Sequence, residues 1–247
     1  MFKLIETPHL PKSKVRHIII GEKYRKKLKK ALITHYLEPI WLKSNPYVDE
    51  RLSGHTDLAA VHIGDTIFIS EYCKPCEQIH NLIAVEYVSD PAQAIYPYDA
   101  GLNFCIVGDK LFYNPKTANT SLIENCVDKQ LIAIKQGYTK CSICVVNENS
   151  IITSDKNIAK AAENAKMDVL YLPEPFVSLD GFNYGFIGGA AFKINANELA
   201  FTGIIKDKNI KNLIESFLSE RNIKPIYLTS NQIFDIGSAI PLTEAVN

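Results

Sequence analysis

The chain has 247 residues, enough for one large or two small domains with a sizeable buried core. Its 27 basic and 27 acidic residues balance, so the overall charge gives no reason to expect nucleic acid or an anionic membrane as a partner. Charges interrupt every apolar stretch, and the early Glu6 and Pro8 are atypical of a signal peptide. We therefore expect one cytoplasmic domain over residues 1–247, with its cysteines as reduced thiols.

The N-terminal segment predicts a strand, a helix and a second strand. The first strand covers residues 15–20, the helix 22–36 and the second strand 39–42. A basic run at 23–30 lies on the helix face opposite the apolar residues, so we interpret it as a solvated surface rather than a nucleic-acid patch. A first strand is missing from this unit, and the C-terminal residues 236–242 are the segment that could supply it.

A pair of short strands recurs four times along the rest of the chain, at intervals of roughly 45 residues. The pairs cover residues 61–70, 106–114, 145–154 and 194–202. Each pair is followed by a helix signal and a further short strand, which makes the repeating unit ββαβ. Repeated units of this kind bury their apolar faces against their neighbours.

The helix signals are clearest in the last two repeats. Ser154 or Asp155 is a candidate N-cap for a helix that leads into a strand at 169–172. Apolar residues at helical spacing predict a second helix over residues 208–221, again followed by a strand. The first complete repeat is the weakest, because Pro75 interrupts its helical segment.

Four internal repeats and one unit shared by the two chain ends predict an α/β fold, a closed five-bladed propeller of ββαβ units with pseudo-symmetry. In such a ring the first strand of each unit lines the axis, and matching positions converge on one central cavity. The position of Asp57 matches Gly101, Cys141 and Gly189 in the following units. This correspondence selects the candidate functional residues.

The most polar of the matching segments covers residues 49–57. His55 and Asp57 are two residues apart, so on an extended chain both side chains face one cavity, where the acid orients the imidazole or raises its pKa. The alternative is that Asp57 and Ser53 satisfy the backbone of a turn while His55 packs beside them. Gly54 permits a close approach of the backbone, which favours a functional interpretation.

The second segment surrounds Cys141. A thiolate is the nucleophile of cysteine chemistry, and a neighbouring cation such as Lys140 lowers the pKa of a thiol. The alternative is a small buried thiol in a core strand, which is common for a free cysteine. The sequence leaves both interpretations open.

Two Cys-x-x-Cys spacings, Cys73/Cys76 and Cys141/Cys144, suggest a four-thiolate zinc site. The two pairs are separated by far more residues than in a zinc ribbon, and residues i and i+3 of a strand project to opposite faces. We therefore predict no metal site, and we interpret the first pair as a turn.

A glycine-rich stretch at residues 181–190 lacks the G-x-G-x-x-G order of a dinucleotide loop, and a strand follows it instead of a helix. We therefore expect no nucleotide cofactor, and no other cofactor is indicated. The glycines are better explained by a close approach of the backbone to the axis, with Asn183 and Tyr184 presented beside it.

Several of these motifs together resemble the fold of the guanidino-group modifying enzymes, the pentein fold, over nearly the whole chain. They are the five ββαβ units, His55-Thr56-Asp57, Gly188-Gly189 and the run at 238–242. The segments 53–57, 140–144, 184–189 and 235–238 are similar to an uncharacterised bacterial family of that fold, seen chiefly in clostridia. That family has no established activity.

The resemblance implies catalysis by a C-terminal cysteine, a histidine in an H-x-D motif and an acid in E-G-G-D. In this chain the cysteine position falls on Gly237, and the two acid positions fall on Ile187 and Ala190. His55 and Asp57 match the H-x-D motif, but they lie in an early unit, whereas arginine deiminase has this motif late. Covalent attack from the usual position is therefore unsupported.

The leading hypothesis is a polar central pocket for a guanidino-like or amino-acid-like small molecule, with hydrolase or transferase chemistry that depends on cysteine. Cys141 would attack, His55 would move protons and Asp57 would orient the imidazole. The residues predicted to bind the substrate are Asp49, Arg51, Asp99, Asn103, Lys140, Ser142, Asn183, Tyr184, Asp235 and Ser238.

The rival hypothesis is a non-catalytic binding or scaffold protein, as translation initiation factor 6 shows is compatible with this fold. The loss of the usual cysteine and acids favours this rival. The concentration of charged groups near the expected axis disfavours it. The sequence does not indicate an oligomeric state.

Overall fold

Three-stranded sheets repeat along the chain in the computed structural model, which describes residues 1–75, 79, 81–89 and 95–246. Five such sheets and one two-stranded sheet are present in this described part of the chain. Cys76, of the Cys73/Cys76 pair that was interpreted as a turn, lies outside the described residues. Part of the helical segment predicted in the first repeat lies outside them as well.

The strands follow one another in chain order, with short helices between them. They are β1 (Phe2–Leu4), β2 (His17–Gly21), β3 (Glu38–Leu42), β4 (Ala60–Ile63), β5 (Thr66–Ser70), β6 (Ala84–Val88), β7 (Cys105–Val107), β8 (Lys110–Tyr113), β9 (Gln130–Ala133), β10 (Cys144–Asn147), β11 (Ser150–Thr153), β12 (Asp168–Tyr171), β13 (Ala191–Asn195), β14 (Glu198–Phe201), β15 (Lys224–Tyr227), β16 (Ile240–Pro241) and β17 (Thr243–Ala245). The helices are α1 (Arg25–Thr34), α2 (Thr56–Ala59), α3 (Thr120–Glu124), α4 (Thr139–Ser142), α5 (Lys156–Asn164) and α6 (Lys208–Ser219), with a 3₁₀ turn at Glu22–Tyr24 before α1.

The four internal sheets have the predicted strand order, and a helix, α3, α5 or α6, lies between the second and third strands in the last three of them. In each sheet the first two strands form an antiparallel hairpin, and the third strand pairs in parallel with the second. Gly64 and Gly108 adopt positive φ angles of 55° and 61° in the turns of the first two hairpins. Such turns match the twist of the flanking strands and favour glycine, which explains the first two hairpins.

The fifth sheet joins the two ends of the chain, as the sequence predicted. β16 pairs antiparallel with β2, with Ile240 opposite Ile19, and β2 pairs in parallel with β3. β1 and β17 form the additional two-stranded sheet beside it. Residues near the C-terminus therefore complete the unit that begins near the N-terminus.

Aspartate caps explain why the two best-predicted helices begin where they do. The Asp155 side chain accepts hydrogen bonds from the first-turn amides of α5, and Asp207 does the same for α6. The predicted helix over residues 22–36 is shorter in the structure and starts as a 3₁₀ turn. Lys23, Lys26 and most of the basic run are exposed, in agreement with a solvated helix face.

Apolar side chains from neighbouring units pack together between the sheets. One cluster combines Val146 of β10, Leu199 of β14 and Ile214 of α6, all fully buried. Burial of each such side chain stabilises the fold by about 1.5–3 kcal/mol. The first strands β10, β13 and β16 contact one another in turn, so the segments that precede them are brought close together.

None of the helices described here combines the length and the hydropathy that crossing a bilayer requires.

Candidate active site

Hydrogen bonds link the segments that precede the first strands of the five sheets. The Asp57 amide donates to the carbonyl oxygen of Gly237 at 2.9 Å. The Asn103 side chain continues the connection, because its Nδ2 donates to the Asp57 carbonyl at 3.2 Å and its Oδ1 accepts from the Lys140 amide at 2.7 Å. Three of the repeats are thereby joined to the C-terminal segment.

The remaining two connections complete a circuit. The Gly189 amide donates to the Cys141 carbonyl at 2.9 Å, and the Ser238 amide donates to the Gly189 carbonyl at 2.8 Å. We call this set of hydrogen bonds the hub circuit. It runs from the segment of Asp57 through those of Asn103, Cys141 and Gly189 to that of Ser238. The hub circuit explains how residues far apart in the sequence reach one place.

The local structure at two of these segments differs from the sequence expectation. His55 and Asp57 were predicted on an extended chain, but Asp57 lies in the one-turn helix α2, for which His55 is the N-cap. Cys141 lies in the equivalent short helix α4 rather than in a core strand. Helices of four residues, such as α2 and α4, escape a periodicity test, because that test needs a window of several turns.

The Cys141 thiol is held by two neighbours. Its Sγ lies 2.9 Å from Asp57 Oδ2, to which it donates, and 3.5 Å from Asn103 Nδ2. Asn103 Oδ1 also accepts from the Cys141 amide at 3.4 Å. Cys141 is almost fully buried, so its position is set by the protein rather than by solvent.

The pKa of the Cys141 thiol is raised well above its usual value, chiefly by burial and then by the negative charges of Asp57 and Asp235. The expectation that Lys140 lowers this pKa is therefore wrong. Lys140 Nζ points elsewhere and donates to the Gly188 carbonyl at 3.2 Å and to Ser238 Oγ at 2.9 Å. A chemical role for Cys141 consequently requires a partner that brings positive charge to the thiol.

Burial also raises the pKa of Asp57 above its usual value, and the charges of His55 and Lys140 oppose this effect. Asp57 Oδ2 accepts from the thiol, and Oδ1 is buried without a hydrogen-bond partner. Neither oxygen bonds to the imidazole. Asp57 is thus placed to receive the thiol proton rather than to orient His55 as the sequence suggested.

His55, Cys141 and Asp235 converge at the same point. Each offers one donor atom, and the three atoms lie within 4.8 Å of one another. His55 Nε2 is buried without a hydrogen-bond partner. Imidazole, thiolate and carboxylate are also the ligands that Zn²⁺ accepts, and within the described chain this is the group of three whose spacing suits a metal ion.

The carboxylate of Asp235 is fixed by backbone amides on two sides. Its Oδ2 accepts from the Phe186 amide and its Oδ1 from the Gly237 amide, both at 2.8 Å. A Cβ atom at Gly189 would lie only 1.9 Å from Asp235 Oδ1, so only glycine fits there. The glycine-rich stretch therefore permits a close approach between its backbone and the Asp235 carboxylate.

A cavity of about 260 Å³ opens above this cluster. Polar groups form its base, and aromatic and leucine side chains form its walls. The lining residues are Leu52, His55, Leu58, Tyr138, Cys141, Leu179, Phe182, Asn183, Tyr184, Phe186 and Asp235. The cavity thus combines a thiol, a fixed carboxylate and an apolar wall.

Of the ten residues predicted to bind substrate, Asn183, Tyr184 and Asp235 line the cavity. Four others lie in the layer beneath it, where Asn103, Lys140 and Ser238 contribute to the hub circuit. The fourth, Ser142, is buried with its hydroxyl unpartnered. The structure therefore places these four behind Cys141 and not on the cavity wall.

The other three, Asp49, Arg51 and Asp99, contact residues of the cavity region without lining the cavity themselves. Arg51 Nε and Nη2 donate to the carboxylate oxygens of Asp49, and Nη1 donates to the Gly181 carbonyl. Asp99 Oδ2 accepts from the Tyr138 hydroxyl at 2.6 Å, and burial raises the pKa of this carboxyl. Asp99 therefore acts on the cavity through Tyr138.

Sequence reasoning missed the aromatic wall. Phe182 and Phe186 flank the predicted Tyr184 at alternate positions of the glycine-rich stretch, and this alternation was the available signal. The Tyr24 ring also lies near the site, 6.3 Å from that of His55 between ring centroids. Tyr24 also borders an adjacent cavity that shares Asp235.

The family DUF6873, described as a family of unknown function, matches residues 19–240 of the chain. No curated protein sequence is significantly similar to it.

Several solved structures are similar in fold despite low sequence identity. The inosamine-phosphate amidinotransferase StrB1 of Streptomyces griseus aligns with a TM-score of 0.57 at 8% identity, covering 99% of this chain and 98% of that chain. Agmatine deiminase from C. jejuni with substrate bound gives 0.55 at 13% identity, with 98% and 96% covered. A dimethylarginine dimethylaminohydrolase adduct gives 0.53 at 13% identity, with 86% and 92% covered. The chain therefore has the pentein fold of the guanidino-group modifying enzymes.

Proposed function

The chain belongs to the DUF6873 family of unknown function, and we propose that it is a cysteine-dependent enzyme that hydrolyses or transfers the amidino group of a small guanidinium compound. The observation that carries this proposal is the convergence of His55, Cys141 and Asp235 within 4.8 Å at the base of a cavity. Proteins of the same fold named as an amidinotransferase and a deiminase support this reaction class.

We further infer that the five sheets surround one axis as a closed five-bladed propeller, which makes residues 1–247 a single domain. The hub circuit supports this arrangement, because its hydrogen bonds run through all five units and return to the first. The nucleophile then lies at the axis, although in a different unit from the C-terminal position of the related enzymes.

The negative charge at the cavity base supports binding of a guanidinium ion. Asp235 presents a fixed carboxylate beside Cys141, and Asp57 lies directly behind the thiol. Burial and, after it, the negative charges of Asp57 and Asp235 hold the thiol pKa high, and a bound cation offsets these charges. Ligand binding would therefore generate the thiolate that the free protein disfavours.

The reaction begins when the thiol proton passes to Asp57 Oδ2. Sγ of Cys141 adds to the guanidinium carbon, one carbon–nitrogen bond breaks, and the departing amine takes a proton from His55. The amidino group is then bound to sulfur. Attack by water on its carbon gives hydrolysis, and attack by a second amine gives transfer. In both cases the attacking group gives a proton back to His55, the carbon–sulfur bond breaks, and Asp57 returns its proton to the thiolate.

One observation favours the rival, a binding protein without catalysis. The pKa of the Cys141 thiol is raised in the free protein, so the nucleophile is not activated before a ligand binds. Under this rival the small molecule binds but is released unchanged. A stable macromolecular partner recovered with the purified protein, together with no turnover, would support it.

The test compares two alkylating reagents of nearly equal size, cationic 2-chloroacetamidine and neutral 2-chloroacetamide. With either reagent a bond forms between Sγ and the reagent carbon, and chloride leaves. The quantity to compare is the ratio of the labelling rate with the amidine to that with the amide. We expect this ratio to be at least about tenfold larger for Cys141 than for glutathione, because the site supplies a carboxylate for the cation. Peptide mass analysis locates the adduct.

Two variants control the labelling experiment. Cys141→Ser removes the expected adduct, and Cys126→Ser, which changes a buried thiol outside the cavity lining, leaves it intact. Slow labelling of all accessible cysteines, with the same reagent preference as glutathione, contradicts the proposed function.

A further inference from the structure

We propose that the guanidinium compound bound at this site carries an uncharged apolar or aromatic substituent, and that guanidino amino acids such as arginine are poor ligands. This inference rests on the proposed function and specifies its substrate class. It comes from the chemistry of the cavity wall, which the fold itself does not determine.

The cavity wall offers aromatic surface immediately outside the polar base. The Phe186 ring lies 6.4 Å from that of Tyr138 and 5.9 Å from that of Tyr184, measured between ring centroids. The Phe182 ring lines the same cavity. Rings at these separations accept a further aromatic ring or an alkyl chain, and their faces attract a delocalised cation.

Among the described residues that line the cavity, a ligand carboxylate would find no lysine or arginine, and the His55 imidazole lies at the base, beside the reacting thiol. Lys140, the buried cation behind Cys141, donates to a carbonyl and a hydroxyl of the hub segments. An anionic group placed against this wall would lose its hydration without gaining a charged hydrogen bond, which is costly.

The cations at the entrance are already engaged. Arg51 directs its guanidinium to Asp49 and to the Gly181 carbonyl while stacking on Phe182, 4.1 Å from the ring centroid. Lys23 Nζ donates to the Glu50 and Arg51 carbonyls. These contacts make the entrance cations part of the wall's support rather than a receptor for a carboxylate.

The experiment measures equilibrium binding to the Cys141→Ala protein by calorimetry, so that no turnover interferes. The ligands share one guanidinium group and differ in the substituent: pentylguanidine, phenethylguanidine, agmatine and arginine. We expect pentylguanidine and phenethylguanidine to bind at least about tenfold more tightly than arginine, the ratio expected for one unpaired polar group. Agmatine, whose second charge is positive, is expected to bind more tightly than arginine.

A variant pair tests the wall itself. Phe186→Leu keeps an apolar side chain but removes a ring, so the preference for phenethylguanidine over pentylguanidine should fall about two- to tenfold. Tyr171→Leu removes a half-exposed ring of β12 outside the cavity lining and should leave that preference unchanged.

The outcomes separate this inference from the proposed function. If 2-chloroacetamidine labels Cys141 selectively but arginine binds as tightly as pentylguanidine, the substrate class is wrong and the proposed function stands. If Arg51→Gln then selectively weakens arginine, the entrance is the carboxylate receptor. If the labelling is unselective and no guanidine binds, the proposed function fails as well.

Discussion

The cavity base and the layer beneath it are both buried and polar, but they differ in hydrogen bonding. In the lower layer the Asn103 amide and the Lys140 ammonium group have partners. At the base, His55 Nε2 is buried without one, and behind the thiol Asp57 Oδ1 and Ser142 Oγ also lack one. An unpartnered buried polar atom costs about 1–3 kcal/mol. Asn103 and Lys140 therefore serve the fold, whereas the imidazole at the base retains hydrogen-bonding capacity that a ligand can complete.

The largest expected effect separates chemistry from folding. Cys141→Ser should lower turnover of the best-binding guanidine by roughly a thousandfold or more, since a hydroxyl is a far weaker nucleophile at neutral pH. Its free energy of unfolding should change by less than about 1 kcal/mol. Steady-state kinetics and urea unfolding measure the two quantities. Full turnover by the variant would remove the nucleophilic role.

The next largest effect concerns the lower layer and should appear mainly in stability. Asn103→Ala removes four hydrogen-bond contacts, among them those to the Lys140 amide and the Asp57 carbonyl, and should destabilise the protein by about 3 kcal/mol. Labelling of Cys141 should also slow, because the variant lacks the Asn103 Nδ2 group that holds the thiol in position. Urea unfolding and labelling kinetics measure both changes.

Asn114→Ala is the matched control for that variant. Asn114 is a buried asparagine whose side chain bonds the Lys135 carbonyl and the Lys116 amide, outside the cavity. It should cost stability without changing the labelling rate of Cys141. Equal behaviour of the two variants would mean that Asn103 has no positioning role.

The sequence predicted the features that follow from the repeated ββαβ pattern. The hairpins, the helix capped by Asp155 and the pairing of residues near 240 with those near 19 follow from turn residues, apolar periodicity and the repeat itself. Matching positions between repeats also singled out Asp57 and Cys141, whose side chains lie 2.9 Å apart.

The sequence did not predict which polar residues face the cavity and which lie beneath it. Asn103 and Asp235 look equivalent as polar residues near an expected axis, but Asn103 bonds within the hub circuit and Asp235 lines the cavity. The difference depends on how the side chains are packed around the axis, over contacts between distant segments. The pKa of the Cys141 thiol was misjudged for the same reason, since sequence adjacency to Lys140 says nothing about where its ammonium group points.

A pH series can sharpen the contrast at the cavity base. Burial raises the pKa of the Asp57 carboxyl in the folded protein above its value in the unfolded chain. The protonated carboxyl therefore contributes fully to the free energy of unfolding below the unfolded-state pKa, and this contribution is lost as the pH rises through the folded-state pKa. Asp57→Asn replaces the carboxyl with a neutral amide, so the variant does not lose this stability as the pH rises. At neutral pH the variant should be more stable than the parent by about 1–2 kcal/mol, and near pH 3 the two should converge. Urea unfolding at several pH values measures the difference.

Asp180→Asn, at an almost fully exposed carboxylate, supplies the matched control and should leave the pH profile unchanged. If the parent and Asp57→Asn proteins have parallel stability profiles between pH 3 and 7, Asp57 is not under strain in the folded protein. The base would then differ from the lower layer in geometry alone.

The smallest expected effect concerns the entrance. Arg51→Gln removes the cation stacked on Phe182 and the hydrogen bond to the Gly181 carbonyl, so the aromatic wall loses one support. The dissociation constant of phenethylguanidine should rise about threefold, because a cation–π contact at an exposed site contributes about 0.5–1 kcal/mol. Calorimetry with the Cys141→Ala protein as background measures it.

Arg221 offers the same arrangement away from the cavity, stacked 3.6 Å from the centroid of Phe217 and donating to the Phe217 carbonyl. Arg221→Gln should therefore cost some stability without altering ligand binding. If both arginine variants weaken binding equally, the effect is a general loss of rigidity and Arg51 has no specific role. If Arg51→Gln alone does so, the entrance is a third region, distinct from the base and the lower layer, whose contacts serve the apolar part of the ligand.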